Sequence, residues 1–186
     1  MAELGSNGLA GQAQEAVEFA DVILLSVLWK KLDQVLDRLG SLDGKVVIDA
    51  INPLTTTETI VNSATTKNQH FFEFLGESSV SQKLQKRLLM AKIVKAFNQF
   101  YVGILAAGTQ LSATEKPAVF YAGDGKDAKR IVSIMTEKSG FTAADAGFLQ
   151  SARLLEMIPQ LYHQVSQTNG WQYFGFTLSK IPHFVK

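Results

Sequence analysis

Short, wholly apolar runs alternate along the chain with longer stretches in which apolar residues recur every three or four positions, and turn-forming residues separate the two. Such alternation predicts strands joined by crossover helices, and so an α/β fold. Val22–Val27 is apolar but for Ser26, as a parallel strand covered on both faces requires. Lys31–Leu39 places Leu32, Val35, Leu36 and Leu39 on one helical face and stops at Gly40. Lys45–Ile51 reads as a second buried strand. Asn52 closes it, because Pro53 restricts the residue before it and has no N–H to give a ladder.

Thr55–Phe74 is rich in Thr and Asn without clear periodicity and is expected to be a long surface loop. Ser79–Leu89 predicts a helix with Val80, Leu84 and Leu88 on one face and Ser78 or Ser79 as its cap. A third strand, Lys92–Phe97, ends at Asn98, and Phe100–Gly108 follows as a helix. Ala118–Ala122 is a fourth strand, Asp127–Lys138 a helix with Ala128, Ile131, Val132 and Met135 inward, and Phe141–Asp145 a short edge strand. A last helix over Leu149–Gln167 carries Pro159 inside, where a kink is expected. An aromatic tail, Trp171–Val185, closes the chain.

Length and composition narrow the function. With 186 residues, 46% of them hydrophobic and 19% charged, one domain with a sizeable apolar core is expected, and disorder is excluded as the main character. Eighteen Lys and Arg stand against seventeen Asp and Glu, a net charge of +1. That leaves no electrostatic footprint for nucleic acid or an anionic membrane and favours a small-molecule partner. Without cysteine there is no disulfide, no thiolate metal site and no cysteine nucleophile. The longest largely apolar run, Val22–Trp29, broken by Ser26, is far shorter than the ~20 residues that span a bilayer. Met1–Gly11 lacks a signal pattern, so a cytoplasmic location is expected.

In a doubly wound sheet, ligands lie outside the carboxyl ends of the strands. Those ends are Ser26–Trp29, Asn52-Pro53 and Phe97-Asn98, whose amides and small polar side chains suit a flat polar heterocycle. Asn52 and Asn98 have a second reading, as residues that satisfy loop backbone groups. His70, His163 and His183 are too widely separated for a metal motif. No Gly-x-Ser-x-Gly elbow supports acyl transfer. Gly5–Gly11 has the wrong spacing, and no preceding strand, for a phosphate-binding glycine turn.

Four segments taken in order carry a family resemblance: Ala20–Val27, Gly44–Leu54, Lys92–Asn98, and Asp145-Ala146-Gly147 with Ala152-Arg153-Leu154-Leu155-Glu156. From about Glu15 to the tail the chain resembles the NADPH-dependent reductases of 8-hydroxy-5-deazaflavin, coenzyme F-420, and their dinucleotide-binding relatives, among them the cytoplasmic domains of ferric reductases. The resemblance implies a Rossmann-like, mostly parallel sheet with helices on both faces, one domain over residues 1–186. It implies hydride transfer between NADP(H) and a deazaflavin, flavin-like or small carbonyl acceptor, with coenzyme F-420 or a flavin as second cofactor. Ser26, Val27, Leu28, Trp29, Ala50, Ile51, Asn52 and Pro53 would border NADPH. Phe97, Asn98, Gly147, Phe148 and Leu149 would border the second ring or substrate. Stacked rings need orientation above all, with reacting carbons about 3 to 3.5 Å apart, so neither triad nor metal is required.

Two departures qualify the resemblance. Leu28 stands where the family usually has Pro. The match also begins downstream of the family's first strand and glycine turn, a unit of roughly 40 to 60 residues, so an N-terminally truncated chain or a degenerate relative is expected. The alternative function is a non-catalytic interaction protein that retains the fold, and an uncovered sheet edge leaves homodimerisation open. Arg153 and Glu156 are placed to pair one turn apart.

Overall fold

Parallel pairing governs the first half of the sheet. In the computed structural model β1 (Val22–Leu25) pairs with β2 (Val46–Asp49), and β2 pairs with β5 (Lys92–Lys95), all running one way. Residues 8–60, 66–73, 75–108, 116–179 and 181 are described. Beyond β5 the direction reverses: β6 (Ala118–Gly123) is antiparallel to β5, and β7 (Thr142–Asp145) is parallel to β6. The order is β1-β2-β5-β6-β7. The sheet is thus mostly parallel and Rossmann-like, as expected.

Alternation along each strand sends side chains to two cores. Val47 and Ile93 face one side, where they meet Leu32 and Leu36 of α2 (Leu32–Leu36), Val80 and Leu84 of α3 (Val80–Arg87), and Val17 of α1 (Ala13–Phe19). Val46, Ile48 and Val94 face the other, against Ile104 of α4 (Val102–Ala107), Ala128 and Val132 of α5 (Lys126–Lys138), and Tyr162 of α7 (Ile158–Asn169). Helices therefore cover both faces. Ser79 caps α3 by accepting from the Gln82 N–H at 3.1 Å. Among the described residues no helix is long and apolar enough to cross a membrane.

Three expectations are corrected. Thr55–Phe74 is not a loop: β3 (Leu54–Ile60) and β4 (Thr66–Phe72) form an antiparallel ribbon in register from Leu54 opposite Phe72 to Ile60 opposite Thr66. Runs of β-branched Thr suit a strand even without apolar alternation. The last helix does not kink at Pro159. It splits into a 3-10 turn at Leu149–Ser151, α6 (Ala152–Leu155), and α7, whose first turn holds the proline, where a missing N–H costs nothing. Between Arg153 and Glu156 there is no pairing, because Glu156 turns inward to Lys95 while Arg153 is exposed.

The aromatic tail folds back on the second core. Phe174 stacks on Tyr162 with centroids 3.9 Å apart, and the Tyr162 hydroxyl donates to the Phe174 carbonyl at 2.8 Å. The Ala118 N–H donates to the Phe176 carbonyl, so the tail also pins the start of β6.

Candidate functional site

Because β1, β2 and β5 are parallel, Ser26–Trp29, Ala50–Pro53 and Phe97-Asn98 emerge on one rim of the sheet. Asn52 and Asn98 meet there. The Asn52 side-chain amide donates to the Asn98 carbonyl at 2.8 Å, and the Asn98 amide donates to Asn52 Oδ1 at 2.9 Å and to the Leu155 carbonyl at 3.0 Å. Both do satisfy loop backbone groups, and both also line a cleft of about 290 Å³. Its apolar walls are Leu54, Phe100 and Tyr101 from the strand-end segments and Pro159 and Tyr162 from α7, with Gln99 and His163 adding polar lining. That volume holds a ring system rather than a whole dinucleotide, at the small end of the usual range for ligand sites.

The backbone at this rim is held out of its ordinary range. Phe97 has φ +62°, the only described non-glycine residue at positive φ. A Cβ-bearing residue there costs about 1 to 2 kcal/mol, and such positions concentrate at binding sites and switches.

The other expected site residues divide. On the rim, Ser26 and Leu28 are exposed and Val27 packs against the first core. Trp29 turns away from the cleft: its indole N–H donates to Glu73 Oε2 at 2.8 Å, and the Lys83 ammonium lies 5.0 Å from its ring centroid. Trp29 thereby ties β1 to the base of the β3–β4 ribbon, where the Glu73 N–H also donates to the Pro53 carbonyl. Gly147, Phe148 and Leu149 are not brought together with Asn98. The reversal at β6 carries the end of β7 to the opposite rim, where the Gly123 N–H donates to the Gly147 carbonyl and Leu149 N–H to Asp124. Phe148 is exposed there, and Leu149 is buried in the first core.

Beneath the rim lies a charged group of residues that the strand patterns did not single out. Asp49 and Lys95 are register partners on β2 and β5, both 0% exposed, with Nζ to Oδ2 at 3.1 Å. Lys95 also donates to Glu156 Oε1 at 2.9 Å and to the Ile51 carbonyl. Asp49 accepts from Ser81 Oγ at 2.6 Å and from the Ile51 N–H at 2.8 Å, and Glu156 from the Val80 N–H at 2.9 Å. Burial raises the Glu156 carboxyl above its ordinary range, against the opposing pull of Lys95. Two carboxylates share one ammonium, and the group locks β2, β5, α3 and the end of α6 together next to Asn52. The signal was an acid and a base, one in each of two otherwise apolar strands.

Among the described residues no group of three acidic or histidine side chains is placed to hold a metal ion. The His70 side chain, His183 and residues 1–7 lie outside the described set.

Comparisons with known proteins agree with this architecture. The family model described as NADP oxidoreductase coenzyme F420-dependent matches residues 1–53, a span that ends at the Asn52-Pro53 rim. The metalloreductase STEAP3 of Rattus norvegicus is 32% identical over 146 residues, covering 78% of this chain and 26% of its own, so the chain spans about a quarter of that curated relative. A solved structure described as a candidate F420-dependent NADP-reductase from Arthrobacter sp. FB24 superposes with TM-score 0.75 at 19% identity, covering 91% of this chain and 74% of that one. A hypothetical protein from Sinorhizobium meliloti gives TM-score 0.60 at 26% identity, covering 75% and 62%. The chain is thus similar to the coenzyme F420-dependent NADP oxidoreductases over residues 1–53 and shares the Rossmann-like fold of these solved structures.

Proposed function

We propose that the Asn52–Asn98 rim and its aromatic cleft are the redox face of an NADP-dependent oxidoreductase, where a nicotinamide ring and a planar acceptor meet. The observation that carries this reading is the mutual hydrogen bonding of Asn52 and Asn98 at the carboxyl ends of adjacent parallel strands, beside the cleft. The residues present fit a nicotinamide: flat apolar walls for the ring, and polar Asn52, Asn98 and Gln99 for its carboxamide. When bound, NADPH supplies a hydride. The chain supplies the walls that orient ring and acceptor, and Ser26, Ala50 and Pro53 border the cofactor side of the rim. We assign His163, on the cleft wall, to deliver the proton that either a deazaflavin or a carbonyl acceptor takes up with the hydride. A deazaflavin or flavin-like ring suits the aromatic lining better than a small carbonyl does, because Phe100, Tyr101 and Tyr162 offer ring surface beyond what a carbonyl can cover. The site lies in the chain's own compartment, which we take as cytoplasmic.

The test is NADPH titration of the chain and of Asn52→Trp, by ligand-observed NMR up to millimolar concentration. Asn52→Trp is expected to weaken binding at least tenfold with the circular dichroism spectrum retained. Equal affinity in the two proteins places the ring elsewhere.

One observation favours a second reading. Among the described residues β1 has a strand neighbour on one side only, and Leu24 within it is 58% exposed, so a partner, including a second copy, could pair along that edge.

A further inference from the structure

Asn98 is 4% exposed and lines the cleft, yet among the described residues its Oδ1 has no hydrogen-bond partner. Among the described residues only Thr136 Oγ1 shares that condition, and Thr136 does not line the cleft. The orientation of the Asn98 amide is fixed by its neighbours. Asn52 must turn its NH₂ to the Asn98 carbonyl, which leaves Asn52 Oδ1 facing Asn98. The Asn98 group bonded to Asn52 Oδ1 and to the Leu155 carbonyl is therefore the NH₂, since both partners only accept. What remains is an acceptor, not a donor. Its desolvation is complete in the folded chain, so a ligand N–H that reaches it gains a hydrogen bond without that cost.

The same turn has the means to present this acceptor. Oδ1 is covered by its surroundings, and the residue immediately before it, Phe97, sits at φ +62°. A bulky residue held in the left-handed region stores energy that a rearrangement at Phe97 can release, while Gln99 stays fastened to β6 by its two hydrogen bonds with the Phe120 backbone.

We infer that Asn98 Oδ1 is the recognition acceptor for an N–H on the planar heterocycle that enters the cleft, presented as the Phe97 turn gives way. This rests on the reading of the rim as a redox face, and it adds which atom reads the ligand and what chemistry it demands. Two sources offer that N–H: the carboxamide of a nicotinamide and the imide N3–H of a deazaflavin ring. A heterocycle that carries only acceptors along the same edge is rejected, because it leaves Oδ1 unpaired.

Deleting the donor on the ligand leaves the protein intact. The wild-type chain is titrated with NADPH and its 3-acetylpyridine analogue, and with 5-deazariboflavin and its N3-methyl derivative. Expected is a preference of about tenfold or more for the N–H-bearing member of one pair, and that pair identifies the source. A ¹³C-asparagine label should show the Asn98 Cγ resonance shifting with the N–H-bearing member alone, and Asn98→Leu, where it folds, should abolish the preference. Equal affinities within both pairs, a Cγ shift that ignores the donor, or a preference that survives in Asn98→Leu overturns this inference and leaves the redox-face reading standing. Failure of all four probes to bind overturns both.

Discussion

Asp49 and Lys95 stand opposite each other on adjacent parallel strands, both wholly enclosed, and the ammonium that joins them is shared with Glu156. Removing the cation strands two acids away from water. Lys95→Met is expected to cost about 3 to 5 kcal/mol of unfolding free energy, the range for breaking a buried pair from one side. Urea denaturation checks it, and a loss below about 1 kcal/mol would mean that water reaches the group.

Glu156 gives the same group a pH dependence of known sign. Its carboxyl is raised in the folded chain above the ordinary value of 4.5, chiefly by burial. Between 4.5 and the raised value the folded chain holds a proton that the unfolded chain has released. The contribution is therefore fully present below about 4.5 and fades as pH rises through the folded value. Glu156→Gln should remove this loss, so its stability relative to the parent improves as pH rises from about 4 to 8. Parallel stability curves for the two proteins across that range would count against the assignment.

Trp29 anchors the β3–β4 ribbon through Glu73, and a two-stranded ribbon is marginal without support. Trp29→Phe keeps an aromatic, though smaller, ring and deletes the N–H donor. Amide hydrogen exchange across 54–60 and 66–72 should quicken by about two- to tenfold, with exchange in β2 and β5 unchanged. Faster exchange in β2 as well would show that the indole supports the core and not the ribbon.

Leu24→Lys tests the free edge of β1. Charge on an edge strand opposes pairing with another chain. If the edge is used, sedimentation should show wild-type chains associating with concentration and the variant remaining single. Association that is unchanged in Leu24→Lys assigns the contact to another surface.

Much of the strand-and-helix order was legible, because β2 and β5 are buried on both faces and so leave unbroken apolar runs at Val46–Ile48 and Ile93–Val94. Strand direction was not, since the apolar run Ala118–Ala122 reads the same whichever way it lies, and that is why the sequence does not separate Gly147–Leu149 from the Asn98 rim. Thr55–Thr57 and Thr59 concealed a strand behind polarity. Asn52 and Asn98 could be placed at strand ends from their positions alone. Tyr162 and His163 could not be placed with them, because helix docking across more than sixty residues decides that contact.

The reversal at β6 divides labour along the chain. The strand ends that carry the asparagine pair are complete by Asn98, while the far wall of the cleft, Pro159, Tyr162 and His163, arrives only after the polypeptide has crossed to the opposite rim and returned through α6 and α7. Sequence change in α7 can thus reshape that far wall while the hydrogen bonds between Asn52 and Asn98 stay in place.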